Sequence, residues 1–274
     1  MVRSRGRTDG VRTANCRSAP LPRRAFSRIV VAVDPSNASE RAARLAISLV
    51  RGDAHVELVF CHAVDIPRML AHADRFADDY ALALEAARDE ARRLLDRCVA
   101  LALQAGIVAR SRIRFGAPAT QISSLAKAVA ADLIVIGNRP SAKMHRFLCG
   151  SVRDEMVRSS NIPILVADAN PSRPSEYRAG SILAQPADPP SCAAAARLAS
   201  KIATAHGAKL MFLPPSNRSA PAAHRAVEQA VAEHDPGMIV LGAARKRGLY
   251  DVFSTGVVEC VLQSAVAPVL IVHD

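Results

Sequence analysis

Four apolar runs punctuate the first two thirds of the chain: RIVVAVD (28–34), HVELVFCHAVD (55–65), LIVIG (133–137) and IPILVAD (162–168). They barely alternate, so each reads as a strand buried on both faces. Between them lie stretches with helical spacing. In PSNASERAARLAISLVR (35–51), Ser39 is the expected N-cap, and Ala42, Ala43, Ala46, Ile47 and Val50 share one face. Residues 72–105 set Phe76, Tyr80, Leu84, Ala87, Ala91, Leu94, Cys98 and Leu101 at gaps of three and four, which predicts one long amphipathic helix. VARSRIRFG (108–116) differs. It alternates, with Arg110, Arg112 and Arg114 on one face and Ser111, Ile113 and Phe115 on the other. That pattern predicts a half-exposed edge strand whose charges are solvated edge protection. A short helix with Pro118 near its start comes next, and another begins near residue 150. Strands alternating with helices predict an α/β fold, an open parallel five-stranded sheet with helices on both faces.

The chain has 274 residues and 50% hydrophobic content, enough for one large domain or two small ones. No run of 18 apolar residues is present, so no transmembrane helix and no membrane partner are expected. Cysteines 16, 61, 98, 149, 192 and 260 are scattered, and the eight histidines form no ligand pair. Free thiols in a reducing compartment are the implication, with the cytoplasm as the expected location and no metal site. The net charge of +11 is uneven: residues 1–28 carry eight arginines against Asp9, a net +7. Residues 1–26 have too few large apolar side chains to fold and no apolar signal region, so they are expected to be a disordered basic tail. A solvated arm, a targeting-like segment and an over-long reading frame all fit. With no tryptophan and only ten Phe plus Tyr, recognition of nucleic acid by base stacking is poorly supported.

NPSRPSEYRAG (170–180) reads as a linker, and residues 181–274 repeat the first part of the chain in shortened form. Gly137 to Pro163 spans 26 positions, as does Gly242 to Pro268, at an offset of 105 that sets Val152 on Val257, Met156 on Val261 and Val157 on Leu262. Upstream, RLAISL (44–49) lies over RLASKI (197–202) at 153, and HVELVF over GAKLMF (207–212) at 152. The drop corresponds to 47 missing residues, nearly the length of the long helix and the alternating strand. The expected domains are therefore residues 27–169, the linker 170–180, and a truncated four-stranded copy, 181–274, that leans on the first for stability.

In an open parallel sheet, ligands bind beyond the carboxyl ends of the strands, where the strand order reverses. Two loops have fitting chemistry, one after Asp34 and one after Gly137. Gly150-Ser151 opens a helix, whose free amides and partial positive charge suit a phosphate. Glycine allows close backbone approach and positive φ. Arg139, Lys143 and Arg146 add positive charge, and Asp34 can accept hydrogen bonds from a ribose or an adenine amine. Taken alone, these features equally fit a loop whose glycine serves tight packing beside a solvated basic face. Cys149, beside Lys143 and Arg146, is either an oxidisable thiol or a small buried side chain. His62 reads as a core-edge histidine, and Arg245-Lys246-Arg247 as a solvated loop.

IVVAVDPSNASERAARLA, VFCHAVD, FGAPATQI, DLIVIGNR and GSVRDEMVRSSNIPILVAD, in that order and spacing, resemble the universal stress protein family over residues 28–168 and, more weakly, 180–274. The resemblance implies strand order 3-2-1-4-5, with ATP bound by some members and not by others, and Mg²⁺ on its phosphates. The family's nucleotide loop is G-x₂-G-x₉-G-[ST]. Gly137, Gly150 and Ser151 match it, while Pro140 replaces the second glycine with a residue that has no N–H and a φ fixed at about −65°. The resemblance implies that Asp34 contacts the adenosine and Ala63 lines the base. It also implies that Gly137, Asn138, Arg139, Gly150, Ser151 and Val152 form the phosphate end. The second copy keeps Gly242 but has Arg245 at the second glycine, Thr255-Gly256 for the Gly-Ser pair, and Ala187 or Pro186 opposite Asp34. It is expected to bind no nucleotide and to act as a built-in partner. Family dimers pair through the last strand, and this chain has two such strands, IPILVAD and APVLIVHD. A pseudo-dimer within one chain is expected, with a homodimer of chains beyond it.

The function expected is a cytoplasmic stress-response regulatory protein that binds ATP or a related adenine nucleotide in its first domain, with little or no turnover. Nothing supplies a catalytic base against a γ-phosphate, and no G-x₄-G-K-[ST] loop is present, so no enzyme is expected. The sequence does not identify the protein partner. The alternative is a ligand-free interaction or dimerisation module of the same fold, favoured by Pro140 and the altered second copy. An adenylating enzyme is disfavoured because VDPSNAS lacks the paired glycines of an S-G-G-x-D-S loop. An arginine-tail nucleic-acid anchor would bind in a steeply salt-dependent way.

Overall fold

The computed structural model describes residues 12–14, 24–66, 77–139, 152–168, 176–185, 191–213, 220–243 and 252–273. Contacts divide the chain into two units: residues 26–177 with 262–271, and residues 1–25 with 178–261 and 272–274. The strand β1 (Arg12–Ala14) belongs to the second unit. The first unit runs β2 (Arg28–Ala32), α1 (Asn37–Leu49), β3 (Glu57–Val64), α2 (Ala77–Gln104), β4 (Val108–Phe115), α3 (Pro118–Ala128), β5 (Leu133–Ile136), α4 (Val152–Ser159) and β6 (Ile164–Val166).

Its sheet has the order β4-β3-β2-β5-β6, all parallel, which is the 3-2-1-4-5 order that the resemblance implies. Ile29, Val30 and Val31 of β2 and Leu133, Ile134 and Val135 of β5 have no exposed surface. Each such side chain contributes about 1.5–3 kcal/mol by leaving water, so the apolar runs take the centre of the sheet. β4, the alternating segment, is the edge strand. On α2 the buried line runs through Ala91, Leu95, Cys98 and Ala102, with Leu94 and Leu101 half-buried beside it.

The N-cap of α1 is Ser36, not the expected Ser39. The Ser36 side chain accepts from Ser39 N, while Ser39 is buried and its Oγ accepts from Asp34 N at 2.8 Å. The sheet also carries a strand beyond the expected five. Val269, Leu270 and Ile271 of β10 (Val269–His273) pair antiparallel with Val166, Leu165 and Ile164 of β6, giving that edge's main-chain groups their partners.

The second unit contains β7 (Ser181–Gln185), α5 (Ser191–His206), β8 (Lys209–Phe212), α6 (Ala220–His234), β9 (Met238–Ala243) and most of α7 (Val252–Ser264). β7 lies between β8 and β9, parallel to both. β1 pairs antiparallel with β8, Thr13 opposite Met211. A strand thus forms inside the stretch expected to be unfolded, because a main-chain ladder on an open edge requires no apolar core of its own. Among the described residues no helix is long and apolar enough to cross a membrane.

Candidate functional site

The strand order of the first unit reverses between β2 and β5, so the carboxyl ends of these strands flank its switch point. Main-chain and side-chain bonds together shape the β2 end. Val33 N donates to Cys61 O at 2.8 Å, extending the ladder to β3. His62 Nδ1 lies 2.7 Å from Val33 O, so the half-buried ring ties the ends of β2 and β3 together and serves as the expected core-edge histidine. Asp34 then turns back on its own loop. Its Oδ1 accepts from Ser36 N at 3.0 Å and from Ser36 Oγ, a local turn of the kind aspartate favours.

The other carboxylate oxygen of Asp34 faces the β5 end. Arg139 Nη1 is 3.8 Å from Asp34 Oδ2, with the arginine side chain 72% and the aspartate 46% exposed. Such an open pair contributes about 0–1 kcal/mol, so water or a ligand can separate it at little cost. Ala63 is half-buried at the end of β3, in register with Arg114 of β4. Val152, the first residue of α4, is exposed.

Gly137 has a packing role. A Cβ there would stand 2.6 Å from Ala38 C and 2.7 Å from Ala38 O, so only glycine lets β5 pass the first turn of α1. Its φ does not lie in the left-handed region, so close approach, not positive φ, fixes the residue type. Asn138 is buried and turned into the unit: Nδ2 donates to Leu262 O at 2.8 Å, and Oδ1 accepts from Arg153 Nη1 at 2.5 Å. Arg153 is itself buried and bonds Asp154 through Nε at 2.8 Å. Neither side chain is available to a phosphate in this arrangement. Gly150, Ser151, Pro140, Lys143, Arg146 and Cys149 lie outside the described residues, as do Arg245, Lys246 and Arg247. Of the expected site residues, the structure therefore brings Asp34 and Arg139 together and gives Asn138 a structural task.

Sequence reasoning missed Ser36 and Arg153. The spacing Ser36-x-x-Ser39 carried a capping signal for Ser36. Arg153 had none, since a charged residue on a helix normally stays in water.

A doubly wound α/β domain with opposite charges meeting at its switch point is the class that this first unit defines. Residues 25–168 match the universal stress protein family, more than half of the chain, and the chain belongs to that family. A universal stress protein of Methanocaldococcus jannaschii is 26% identical over 141 residues, 52% of this chain and 81% of that protein. Universal stress protein G of Escherichia coli O157:H7 is 30% identical over 144 residues, 52% of this chain and 98% of that protein. The crystal structure of a universal stress protein from Archaeoglobus fulgidus superposes with a TM-score of 0.69 at 16% identity, covering 90% of this chain and 98% of that one.

Proposed function

We propose that the first unit binds ATP or a related adenine nucleotide at the ends of β2, β3 and β5, and that the protein acts in the cytoplasm as a stress-response regulator with little or no turnover. One observation carries this reading: the weak, exposed pair of Asp34 and Arg139 at the switch point. Asp34 Oδ2 offers an acceptor for a ribose hydroxyl or adenine amine, and Arg139 a guanidinium for phosphate. Ala63 supplies an apolar wall beside them. Mg²⁺ would travel with the phosphates. Equilibrium dialysis with labelled ATP and Mg²⁺ tests the reading. Saturable binding below millimolar ATP that weakens in Asp34→Asn supports it, and no binding at millimolar ATP removes it.

A second reading, a ligand-free interaction module, is favoured by the buried bonds of Asn138 to Leu262 and Arg153. It predicts that a family phosphate position has become a structural bridge, and that Asp34→Asn leaves function intact.

We further infer that the second unit is a shortened copy of the first and acts as its built-in partner. The strand registers support this. Arg28 pairs with Glu57 and Ser181 with Lys209; Val31 pairs with Val135 and Ala184 with Val240. These pairs are displaced by the same 153, 152 and 105 positions that relate the two halves of the sequence. Main-chain bonds keep the same correspondence: Glu57 N to Ser27 O and Lys209 N to Gly180 O, Asp132 N to Arg28 O and Gly237 N to Ser181 O. Sedimentation of the full chain would distinguish a self-contained monomer from a homodimer.

A further inference from the structure

Among the described residues the free edge of the first unit's sheet is β4, which pairs with β3 on one side and ends the strand order on the other. Along an edge strand, alternate residues turn N–H and C=O outward as a row of unpaired donors and acceptors. Arg110, Arg112 and Arg114 share one face, in register with Val59, Cys61 and Ala63. Phe115 lies on the opposite face, where the Arg88 guanidinium of α2 sits 5.3 Å from its ring centroid. The arginine row therefore lies on the face away from α2.

Charge on an edge strand keeps unrelated strands away, and the sequence alone supports no more than that. The partners of the three arginines say more. Arg110 meets Glu57 at 2.8 Å, but Glu57 is shared with Arg28 at 2.9 Å. Arg112 donates to the adjoining Ser111 carbonyl at 2.9 Å and, among the described residues, meets no carboxylate. Among the described residues Arg114 Nε is buried without an acceptor, a costly state for a charged donor. Each face also exposes an apolar side chain, Val108 at 51% and Phe115 at 36%.

We propose that β4 docks an acidic extended segment of a protein partner by strand addition, with carboxylates at every second position meeting Arg112 and Arg114. Main-chain ladder bonds supply affinity, while the alternate carboxylates set register and partner choice. Guanidinium and carboxylate pair as two parallel hydrogen bonds, which suits arginine in this row. A nucleic-acid backbone satisfies the charges but leaves the outward N–H and C=O groups unpaired, so a strand fits better.

The test uses the full chain and a fluorescent, end-blocked octapeptide of alternating Glu and Val, followed by anisotropy. Its controls are the same peptide with Pro for Val, which keeps the charge but removes the N–H of every second residue and disrupts the ladder, the peptide with Lys for Glu, and single-stranded DNA of equal charge. The Glu–Val peptide is expected to bind at least about tenfold tighter than each control. Amides of residues 108–115 should exchange more slowly in its presence. Arg112→Glu and Arg114→Glu should each weaken it about fivefold and improve binding of the lysine peptide. Equal binding of the proline peptide or DNA would reduce the contact to plain charge attraction and overturn the proposal. So would unchanged exchange at 108–115 under saturating peptide, a readout on the unmodified protein that needs no variant to fold.

Discussion

The two units each hold a central strand between parallel neighbours, β2 between β3 and β5 and β7 between β8 and β9, yet the strands end differently. In the first unit β2 leads into the half-exposed Asp34 and β5 into the exposed Arg139. In the second, β7 ends in Gln185 at 6% exposure and β9 in Ala243 at 7%. In both units buried apolar runs hold the parallel register. Side chains at the stop decide whether the end is a charged opening or a closed surface. Sheets with matching ladders can therefore end in different surfaces.

Changes to the frame itself should cost most. A Cβ on Gly237 would stand 1.7 Å from Arg178 O, and one on Gly137 2.6 Å from Ala38 C; both obstacles are backbone. Gly237→Ala and Gly137→Ala are each expected to cost about 3 kcal/mol. That corresponds to a fall of about 10 °C in Tm by calorimetry, larger for Gly237. A loss under about 1 °C would show that the backbone yields, and that the shared frame is less rigid than the registers imply. Side-chain changes at the strand ends come next. Asp34→Asn and Arg139→Gln should weaken ATP binding about tenfold and about fivefold, while Gln185→Leu should leave it unchanged. A weakened affinity in Gln185→Leu would place nucleotide in the second unit and remove the contrast.

The apolar strands were legible in the sequence, because burial on both faces leaves an uninterrupted apolar run. Partners distant in sequence were not legible. Ser36 and Ser39 offer the same oxygen, and the choice between them depends on Asp34, whose N–H takes Ser39 Oγ and whose carboxylate takes Ser36. The strand in APVLIVHD could be read, but its pairing with β6 was expected only from the resemblance, and no local pattern set its antiparallel direction. Arg12–Ala14 carries no apolar signal, and its partner is main chain. Asn138 was assigned to a phosphate loop by its place in a motif. Its amide instead bonds the carbonyl of Leu262, 124 positions on, and no local pattern reports that distance.

The closed end of β7 carries its own strain. Gln185 Oε1 is buried with no hydrogen-bond partner among the described residues. An unsatisfied acceptor costs about 1–3 kcal/mol. Gln185→Met keeps the length and removes the acceptor, so a gain of about 1 kcal/mol is expected, read as a rise in Tm of about 3 °C. A fall in Tm would indicate that the amide works in the second unit much as Asp34 does in the first.

The smallest expected effect is also confined to the second unit. His206, in the last turn of α5, has its pKa pushed below the ordinary 6.5 by burial. The folded state then holds fewer protons at this site than the unfolded chain when the two pKa values bracket the pH. Stability from the neutral ring is fully present above pH 6.5 and is lost as the pH falls from there through the lowered folded value. Thermal melts between pH 7.5 and 5.5 should show this decline, and His206→Gln should flatten part of it, by less than the gain at Gln185. If the variant leaves the slope unchanged, the acid sensitivity lies in other groups. The two units would then differ in their strand ends but not in how they answer to protons.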